Sequence, residues 1–330
     1  MAYRIVLIPG DGIGQEVIPA AQRVLEATGL PLEFVWAEAG WATFQQRGTA
    51  LPPETVEAVR GCGLALFGAI SSPSRKVAGY RSPIVALRRE LGLFANLRPA
   101  RSVPLASSRA GIDLLLVREN TEGLYAQRER REGDTALAER VISRQASERI
   151  GRLACELARQ RRRHLTIVHK ANVLPETCGL FRDSVRTVAA GFPELRVDEC
   201  LVDTMAMRLV AAPETFDVVV TTNLFGDILS DEAAALVGGL GLAPAANLGQ
   251  EVAVFEPVHG SAPDIAGQGI ANPLAAIRAG VMLLEHLGQV VAAQAVHRAV
   301  WQVLEHGPHP PDLGGEARTE EVVRAVVSEL

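Results

Sequence analysis

Two aspartates in the segment NLFGDILSDEAA (223–234) have a spacing that suits metal binding. Asp227 and Asp231 stand four residues apart, so a helix would place both carboxylates on one face, where like charges repel unless a cation lies between them. An acidic helix start, favoured by the helix dipole, explains Asp227 alone, but the apolar neighbours make that explanation weaker for the pair. Asp203, in LVDTMAM, could supply a third oxygen ligand. Carboxylates without a Cys or His cluster favour Mg²⁺ or Mn²⁺ over zinc.

Several arginines stand where they could bind carboxylates. Arg88 lies in a helical pattern, Arg98 precedes a proline that favours extended backbone, and Arg118 ends the strand pattern DLLLVRE. The planar guanidinium pairs with a carboxylate through two parallel hydrogen bonds, which suits arginines at element ends beside apolar sequence. Arg89, like most arginines in any chain, is expected to be solvated.

Two residues are candidate proton carriers. Tyr125, in NTEGLYAQ, is one of three tyrosines, and Lys170 ends the strand pattern HLTIVHK. A lysine close to a divalent cation could act as a general base, whereas without such a partner it is a surface lysine at a strand end. His169 points to the opposite face of a regular strand, so a structural role is expected for it.

The segment FEPVHGSAPDIAGQGIANP (255–273) predicts a loop that covers a flat polar ligand, because its polar groups are flanked by small residues. Asp264 could accept both ribose hydroxyls of a dinucleotide and would repel a 2′-phosphate.

The opening stretch IPGDGIGQEV follows an apolar strand and looks at first like a pyrophosphate-binding loop. The dinucleotide fingerprint needs G-x-G-x-x-G, but Gln15 occupies the place of the third glycine. The acid expected about 20 residues later is matched only loosely, by Glu33 and Glu38. A tight turn that opens the first helix is at least as good an interpretation.

Strand and helix patterns alternate along the chain and predict an α/β fold. Near-continuous Val/Ile/Leu runs indicate strands covered on both faces. Strands are predicted at 4–8, 32–38, 64–69, 113–119, 164–170 and 216–223, and helices at 14–28, 53–60, 143–161, 179–190, 227–238, 273–287 and 290–306.

Composition excludes several classes of function. A net charge of −5 with short basic runs (128–131 and 161–164, expected on solvated faces) argues against nucleic acid as a partner. No apolar run is long enough for a membrane span, and no signal peptide is recognisable, so we expect a cytoplasmic protein. The four cysteines are widely spaced, which argues against a zinc site or disulfides.

Together the segments resemble the β-decarboxylating dehydrogenases, the isocitrate/isopropylmalate dehydrogenase family. The resemblance extends over the chain in order and is carried by seven motifs: IPGDGIGQEV, SPIVALRRELGLFANLRP, VRENTEGLY, HKANVLP, NLFGDILSD, EPVHGSAPDIAGQGIANP and PDLGG. It implies an isopropylmalate dehydrogenase-like fold, not a Rossmann fold, in which two α/β domains share a long mixed sheet. The large, NAD-binding domain would comprise 1–98 and 251–330. The small domain, with the metal site and the dimer interface, would comprise 99–250.

The resemblance also implies a role for each motif residue, in a homodimer or homotetramer whose active sites are shared between subunits. Tyr125 and Lys170 would be catalytic, Asp203, Asp227 and Asp231 would bind Mg²⁺ or Mn²⁺, and Lys170, Asn172 and Asp203 would come from the neighbouring subunit. NAD is the expected cofactor, because Asp264 and Ile265 stand where NADP-dependent members have Lys-Tyr. The substrate-binding residues would be Ser72, Val85, Arg88, Arg98, Arg118 and Asn172, and the cofactor-binding residues His259, Gly260, Ser261, Ala262, Asp264, Ile265 and Asn272.

The motifs SPIVALRRE, SPSRKVAGY and HKANVLPETCGLF look most similar to those of homoisocitrate dehydrogenases of the α-aminoadipate route to lysine. We therefore expect NAD-dependent oxidative decarboxylation of homoisocitrate to 2-oxoadipate and CO₂. Val85 stands where some bacterial homoisocitrate enzymes carry arginine, which leaves Arg81 as a candidate for the distal carboxylate and 3-isopropylmalate or isocitrate as alternative substrates. A non-catalytic subunit of a hetero-oligomeric isocitrate dehydrogenase should lack metal or proton-transfer groups that are present here. A Rossmann sugar-nucleotide enzyme would explain the opening loop alone.

Overall fold

The computed structural model describes residues 2–75 and 77–330, which form two compact units. The first unit contains the chain up to Leu93, Val103–Ser108 and Gly238–Leu330, and the second contains Phe94–Ser102 and Arg109–Val237. Residues 94–98 thus fall in the second unit, and residues 103–108 and 238–250 fall in the first, which differs from the boundaries of the expected domains. The NAD-binding and metal-binding domains themselves stay a prediction.

The first unit is built around five strands in the order β2-β1-β3-β12-β11, parallel except for β11. Its helices come from both ends of the chain. Its strands are β1 (Tyr3–Gly10), β2 (Leu32–Trp36), β3 (Leu64–Ala69), β11 (Pro244–Leu248) and β12 (Ala253–Pro257). Its helices are α1 (Gly14–Ala27), α2 (Trp41–Arg47), α3 (Pro53–Cys62), α4 (Pro83–Glu90), α9 (Leu274–His286), α10 (Val290–His306) and α11 (Thr319–Ser328).

The second unit has the strand order β4-β5-β10-β8-β9, in which only β4 runs antiparallel to its neighbour. A separate antiparallel hairpin pairs β6 with β7. The strands are β4 (Ala95–Arg101), β5 (Asp113–Glu119), β6 (Gly123–Glu132), β7 (Thr135–Val141), β8 (His164–His169), β9 (Arg196–Leu201) and β10 (Val218–Thr221). The helices are α5 (Arg144–Gln160), α6 (Thr177–Ala189), α7 (Val202–Ala211) and α8 (Asn223–Leu236).

Each unit has its own apolar core, because the central strands are buried on both faces. In the first unit, Ile8, Phe67 and Val254 of three neighbouring strands belong to one buried cluster. In the second, Leu116 and Val219 pack with apolar side chains of α7 and α8. These cores fix the strand ends, and most of the candidate site residues lie at or just beyond those ends. In the two described ranges, no helix is long and apolar enough to cross a membrane.

Candidate active site

The paired aspartates lie inside a helix, not at its start. Helix α8 begins at Asn223, four residues earlier than predicted, and its first turn carries no acidic residue. The helix dipole therefore does not account for Asp227, and the exposed-helix-start interpretation is wrong. The other prediction, that both carboxylates lie on one helix face, agrees with their common partner Arg98, whose Nη1 donates to Asp231 Oδ1 at 2.9 Å and whose Nη2 lies 3.3 Å from Asp227 Oδ1.

Asp227 is the centre of a charged cluster in the second unit. Its Oδ1 accepts a hydrogen bond from Arg118 Nη1, and its Oδ2 accepts one from the Tyr125 hydroxyl. The Arg118 guanidinium also lies over the Tyr125 ring, 5.0 Å from its centroid. Burial and then the Asp227 carboxylate raise the pKa of Tyr125, so its hydroxyl stays protonated at neutral pH. Tyr125 therefore lies against Asp227 as a protonated hydroxyl that donates a hydrogen bond.

The donor chemistry of this cluster fits a hard divalent cation. Asp227 and Asp231 present carboxylate oxygens one helical turn apart, the ligand type that Mg²⁺ and Mn²⁺ prefer. Burial raises the pKa of Asp231, with Arg98 opposing that effect. Within the described ranges of the single chain, no three acidic, His or Cys side chains are placed so that they could hold a metal ion, so Asp203 does not complete a site with this pair. The third carboxylate must come from elsewhere if it contributes.

Asp203 instead pairs with Lys170. The Lys170 ammonium donates to Asp203 Oδ1 at 2.6 Å, and this hydrogen bond lowers the pKa of Asp203. Asn172 lies two residues after Lys170 in an exposed turn. The three residues expected to act in a neighbouring subunit are thus in the second unit of this chain, with Lys170 and Asp203 in direct contact.

His169 has a structural role, as expected. Its ring is buried, its Nε2 lies 3.2 Å from Glu199 Oε2, and its Nδ1 accepts the Ala171 N–H at 3.1 Å. It thereby supports the turn that follows β8.

Arg88, in the first unit, is buried against an amide and a carboxylate. Its Nε donates to Asn247 Oδ1 at 3.1 Å, and its Nη2 donates to Glu256 Oε1 at 3.0 Å. Val85, one turn earlier on α4, is half-buried and packs against the apolar core. Ser72 is exposed in the preceding loop, where it lines a cavity of about 470 Å³.

The glycines of the opening loop lie directly against neighbouring backbone. A Cβ at Gly10 would lie 1.9 Å from the Ala69 carbonyl oxygen, and one at Gly12 would lie 2.0 Å from that of Ser261. The glycines thus permit backbone contacts with β3 and with the predicted cofactor loop. Asp11, whose importance the sequence did not reveal, accepts the N–H groups of Trp41, Ala42 and Ser71 and ties three segments together.

The loop 259–272 contains a buried acceptor without a hydrogen-bond partner in the described part of the chain. Burial lowers the pKa of His259, so its ring is neutral, and Nδ1 is 2.9 Å from the Gly260 carbonyl oxygen, to which it must donate. His259 Nε2 is then a buried acceptor with no hydrogen-bond partner among residues 2–75 and 77–330. Buried acceptors are rarely left so, and a bound cofactor with an N–H donor would satisfy this one.

The remaining cofactor candidates lie along the same loop. Ser261 is buried and its hydroxyl donates to or accepts from Ser71 at 2.8 Å, while Ala262 has a positive φ of 38°. Asp264 and Gly260 are exposed and Ile265 is half-buried. Asn272 Nδ2 donates to Asp312 Oδ2 at 2.9 Å. Asp312 belongs to the motif PDLGG, but the sequence did not predict its contact with Asn272.

The sequence model of the isocitrate/isopropylmalate dehydrogenase family matches residues 4–326. The chain belongs to this family. An isocitrate/homoisocitrate dehydrogenase from Thermus thermophilus is 63% identical over 331 residues, covering 100% of this chain and 99% of the relative. A 3-isopropylmalate dehydrogenase from Archaeoglobus fulgidus is 51% identical, covering 99% of each chain. The crystal structure of isocitrate dehydrogenase from Methylococcus capsulatus matches with a TM-score of 0.95 at 45% identity, covering 100% of this chain and 99% of the other.

Family membership confirms the resemblance read from the motifs and the α/β fold class with its large mixed sheet. Members of the isocitrate/isopropylmalate dehydrogenase family are β-decarboxylating dehydrogenases that act on small molecules as oligomers and generally depend on NAD(P) and a divalent metal. The Rossmann sugar-nucleotide alternative is therefore wrong. The role of each site residue stays a prediction.

Proposed function

We propose that this chain catalyses the NAD⁺-dependent oxidative decarboxylation of homoisocitrate to 2-oxoadipate and CO₂, as a cytoplasmic enzyme of lysine biosynthesis through α-aminoadipate. The observation that carries the chemistry is the cluster in which Asp227 contacts both Arg118 and Tyr125. It combines a cation for a substrate carboxylate, a carboxylate for a metal and a protonated hydroxyl. The printed name of the Thermus thermophilus relative, isocitrate/homoisocitrate dehydrogenase, supports the choice of substrate.

Substrate binding is assigned to the arginines. Arg88, Arg98 and Arg118 bind the carboxylates of the malate portion, since each is at most slightly exposed and a guanidinium in low dielectric pairs strongly with a carboxylate. Ser72 and Asn172 provide further polar contacts. The arginines orient the C2 hydroxyl for oxidation and hold the carboxylate that leaves as CO₂.

Proton transfer is assigned to Lys170 and Tyr125. Lys170, whose neutral form a nearby divalent cation would favour, takes the proton of the C2 hydroxyl as hydride leaves C2. Tyr125 later donates a proton to the enol carbon after CO₂ has left. Asp203, Asp227 and Asp231 would hold Mg²⁺ or Mn²⁺, which would acidify the hydroxyl and stabilise enolate charge, and the loop 259–272 would hold NAD⁺ as the hydride acceptor. The exposed carboxylate of Asp264 binds the adenosine ribose and disfavours NADP.

We also propose that active sites are shared between subunits of a homodimer or homotetramer. Helix α7 carries Asp203, Met207 and Val210 on one exposed face, and Met207 and Val210 are 62% and 58% exposed. Exposed apolar side chains in a row beside a candidate metal ligand are typical of a surface that a second copy covers. Ile228 on the contacting helix α8 is also exposed.

Replacing Met207 with glutamate is expected to shift the protein to a smaller assembly, because a buried unpaired carboxylate destabilises an interface. Mass measured by light scattering should fall, and kcat should fall with it, since Lys170 and Asp203 would no longer reach a neighbouring site. The matched control is Val291→Glu, on an 82% exposed valine of α10, which should change neither quantity. An unchanged mass and rate for Met207→Glu would contradict the shared site.

The distal end of the substrate is assigned to the cavity of about 470 Å³ in the first unit. Arg81 and Arg75 line it together with Ser72 and Tyr80. Arg81 is therefore our candidate for the distal carboxylate of homoisocitrate. Val85, which is half-buried and apolar, favours the second candidate function, 3-isopropylmalate dehydrogenase, and so does the name of the Archaeoglobus fulgidus relative.

The deciding experiment compares kcat/KM for homoisocitrate, isocitrate and 3-isopropylmalate with NAD⁺ and Mg²⁺ or Mn²⁺. We expect homoisocitrate to give the highest value. In Arg81→Gln, the values for the two tricarboxylates should fall about tenfold or more, and that for 3-isopropylmalate should not, because only the former keep a distal carboxylate. The control is Arg89→Gln on helix α4, where the arginine is exposed, and it should leave the three kcat/KM values unchanged. A dominant value for 3-isopropylmalate in the wild type would sink the homoisocitrate assignment.

A further inference from the structure

The three arginines assigned to substrate binding share one feature that their motifs do not reveal. In each, the Nε–H donates to the side-chain oxygen of an asparagine. The distances are 2.7 Å from Arg98 to Asn96, 2.9 Å from Arg118 to Asn223, and 3.1 Å from Arg88 to Asn247.

The three asparagines come from unrelated elements but are equally inaccessible. Asn96 lies on β4, Asn223 begins α8 and Asn247 lies on β11, and their exposed fractions are 0%, 1% and 0%. Burying a side-chain amide is costly unless its hydrogen bonds are made. At all three sites the amide oxygen makes its bond to a guanidinium, whereas Asn223 Nδ2 is buried without a hydrogen-bond partner among residues 2–75 and 77–330. The contact that recurs is therefore the one between the asparagine oxygen and the arginine.

A neutral acceptor on Nε fixes the guanidinium plane without neutralising its charge. At least one terminal nitrogen of each guanidinium then meets an acidic group: Arg88 Nη2 donates to Glu256 Oε1 at 3.0 Å, Arg98 Nη1 donates to Asp231 Oδ1 at 2.9 Å, and Arg118 Nη1 donates to Asp227 Oδ1. An aspartate at the asparagine positions would hold the same plane but compete with a substrate carboxylate for the positive charge.

Arg118 is oriented the most completely. Asn223 Oδ1 accepts from Nε and also from Nη2, at 2.7 Å, which leaves Nη1 for Asp227. Gly226, one turn along the same helix, provides the path for this side chain, because a Cβ there would lie 2.7 Å from Arg118 Cγ. Three residues of the motif NLFGD thus act on Arg118: Asn223 accepts its hydrogen bonds, Gly226 leaves space for its side chain, and Asp227 provides a carboxylate partner.

We propose that Asn96, Asn223 and Asn247 are positioning residues that orient Arg98, Arg118 and Arg88 for the carboxylates of the 2-hydroxy acid. This inference rests on the proposed function, since it requires that these arginines bind the substrate. The asparagines act through the arginines and touch no reacting atom. Pre-orientation lowers the entropy that the arginines would otherwise lose on binding, and so lowers KM for the acid.

A double-mutant cycle on Asn223 and Arg118 tests this role. Asn223→Leu should raise KM for the preferred 2-hydroxy acid about 10- to 100-fold, the size expected for lost hydrogen bonds to a charged group, and leave KM for NAD⁺ nearly unchanged. In an Arg118→Lys background, which removes the Nε–H, Asn223→Leu should add little further effect. Thr166→Val is the control: Thr166 is buried in the same unit, and its hydroxyl has no hydrogen-bond partner among the described residues.

Asn223→Asp provides a second test if the leucine variant does not fold. The carboxylate is isosteric and keeps the acceptor, so the melting temperature should hold, while KM for the acid should rise because Arg118 is partly neutralised. An unchanged KM in Asn223→Asp, or additive effects in the cycle, would overturn the positioning role. Both outcomes are distinct from failure of the proposed function, in which the wild type turns over none of the three acids.

Discussion

Replacing Asp227 with asparagine is expected to lower kcat/KM for the preferred acid by about 1,000-fold, the scale of losing a group that stabilises charge in the transition state. Asp227 contacts Arg118, Arg98 and Tyr125 and is a proposed metal ligand, so one substitution removes a ligand charge and the acceptor that holds the tyrosine hydroxyl. An amide is a much weaker ligand for Mg²⁺ or Mn²⁺ than a carboxylate. Apparent Mn²⁺ affinity, measured by electron paramagnetic resonance, should fall in parallel.

The control for Asp227 lies on the same helix. Glu232 is half-buried, and no described residue forms an ion pair with it, so Glu232→Gln should leave kcat/KM and Mn²⁺ affinity unchanged. Melting curves of both variants separate loss of function from loss of folding. Full activity of Asp227→Asn would remove this residue from the metal site and with it the main support for the proposed mechanism.

Replacing Gly12 with alanine is expected to have the largest structural effect. Gly12 has a φ of 56°, which disfavours any residue with a Cβ, and the added atom would lie 2.0 Å from the Ser261 carbonyl oxygen. The backbone of either the opening loop or the cofactor loop must therefore shift to remove this clash. We expect a loss of about 2 kcal/mol or more in the free energy of unfolding and a rise of about tenfold in KM for NAD⁺, with a smaller change in KM for the acid.

Gly61→Ala, in contrast, should raise the free energy of unfolding slightly. Gly61 lies on the exposed side of α3, and an added Cβ there would meet no atom within 4 Å. Alanine is favoured over glycine by about 0.5–1 kcal/mol in a helix interior and by less in the last turn, where Gly61 lies, so this variant should be slightly more stable and have normal kinetics. If Gly12→Ala behaved like Gly61→Ala in thermal unfolding and in KM for NAD⁺, the contact between the opening loop and Ser261 would contribute neither to stability nor to NAD⁺ binding.

The regular elements with strong apolar patterns were predictable from the sequence. β3, β5 and α10 have the predicted bounds, because buried parallel strands are continuous apolar runs and long amphipathic helices repeat every 3.6 residues. The hairpin of β6 and β7 and the edge strand β9 were missed, since they are polar, exposed or only half-buried. The largely buried strands β4, β11 and β12 were missed as well, and Phe255–Pro257 of β12 lies in a segment that was predicted to be a loop. The start of α8 was placed four residues late, because Asn223–Gly226 contains a glycine and no strong capping signal.

The candidate site also has features that the sequence predicted and features that it did not. Residue type and order along the chain determined the family, and with it the predicted acids, arginines and proton carriers, since carboxylates four apart and arginines at element ends are local features. The sequence alone also argued against a pyrophosphate-binding loop in IPGDGIGQEV, because the third glycine of the fingerprint is absent from its required position.

Only the tertiary structure decided what those residues touch. Asn96, Asn223 and Asn247 gave no signal in the sequence, because an asparagine acquires a role only when folding buries its amide against a guanidinium from a distant segment. The same holds for Glu256 beside Arg88 and for Asp312 beside Asn272, pairs separated by 168 and 40 residues. Local spacing determines which chemistry is available, whereas the orientation and charge of each group depend on contacts between segments that the sequence does not place together.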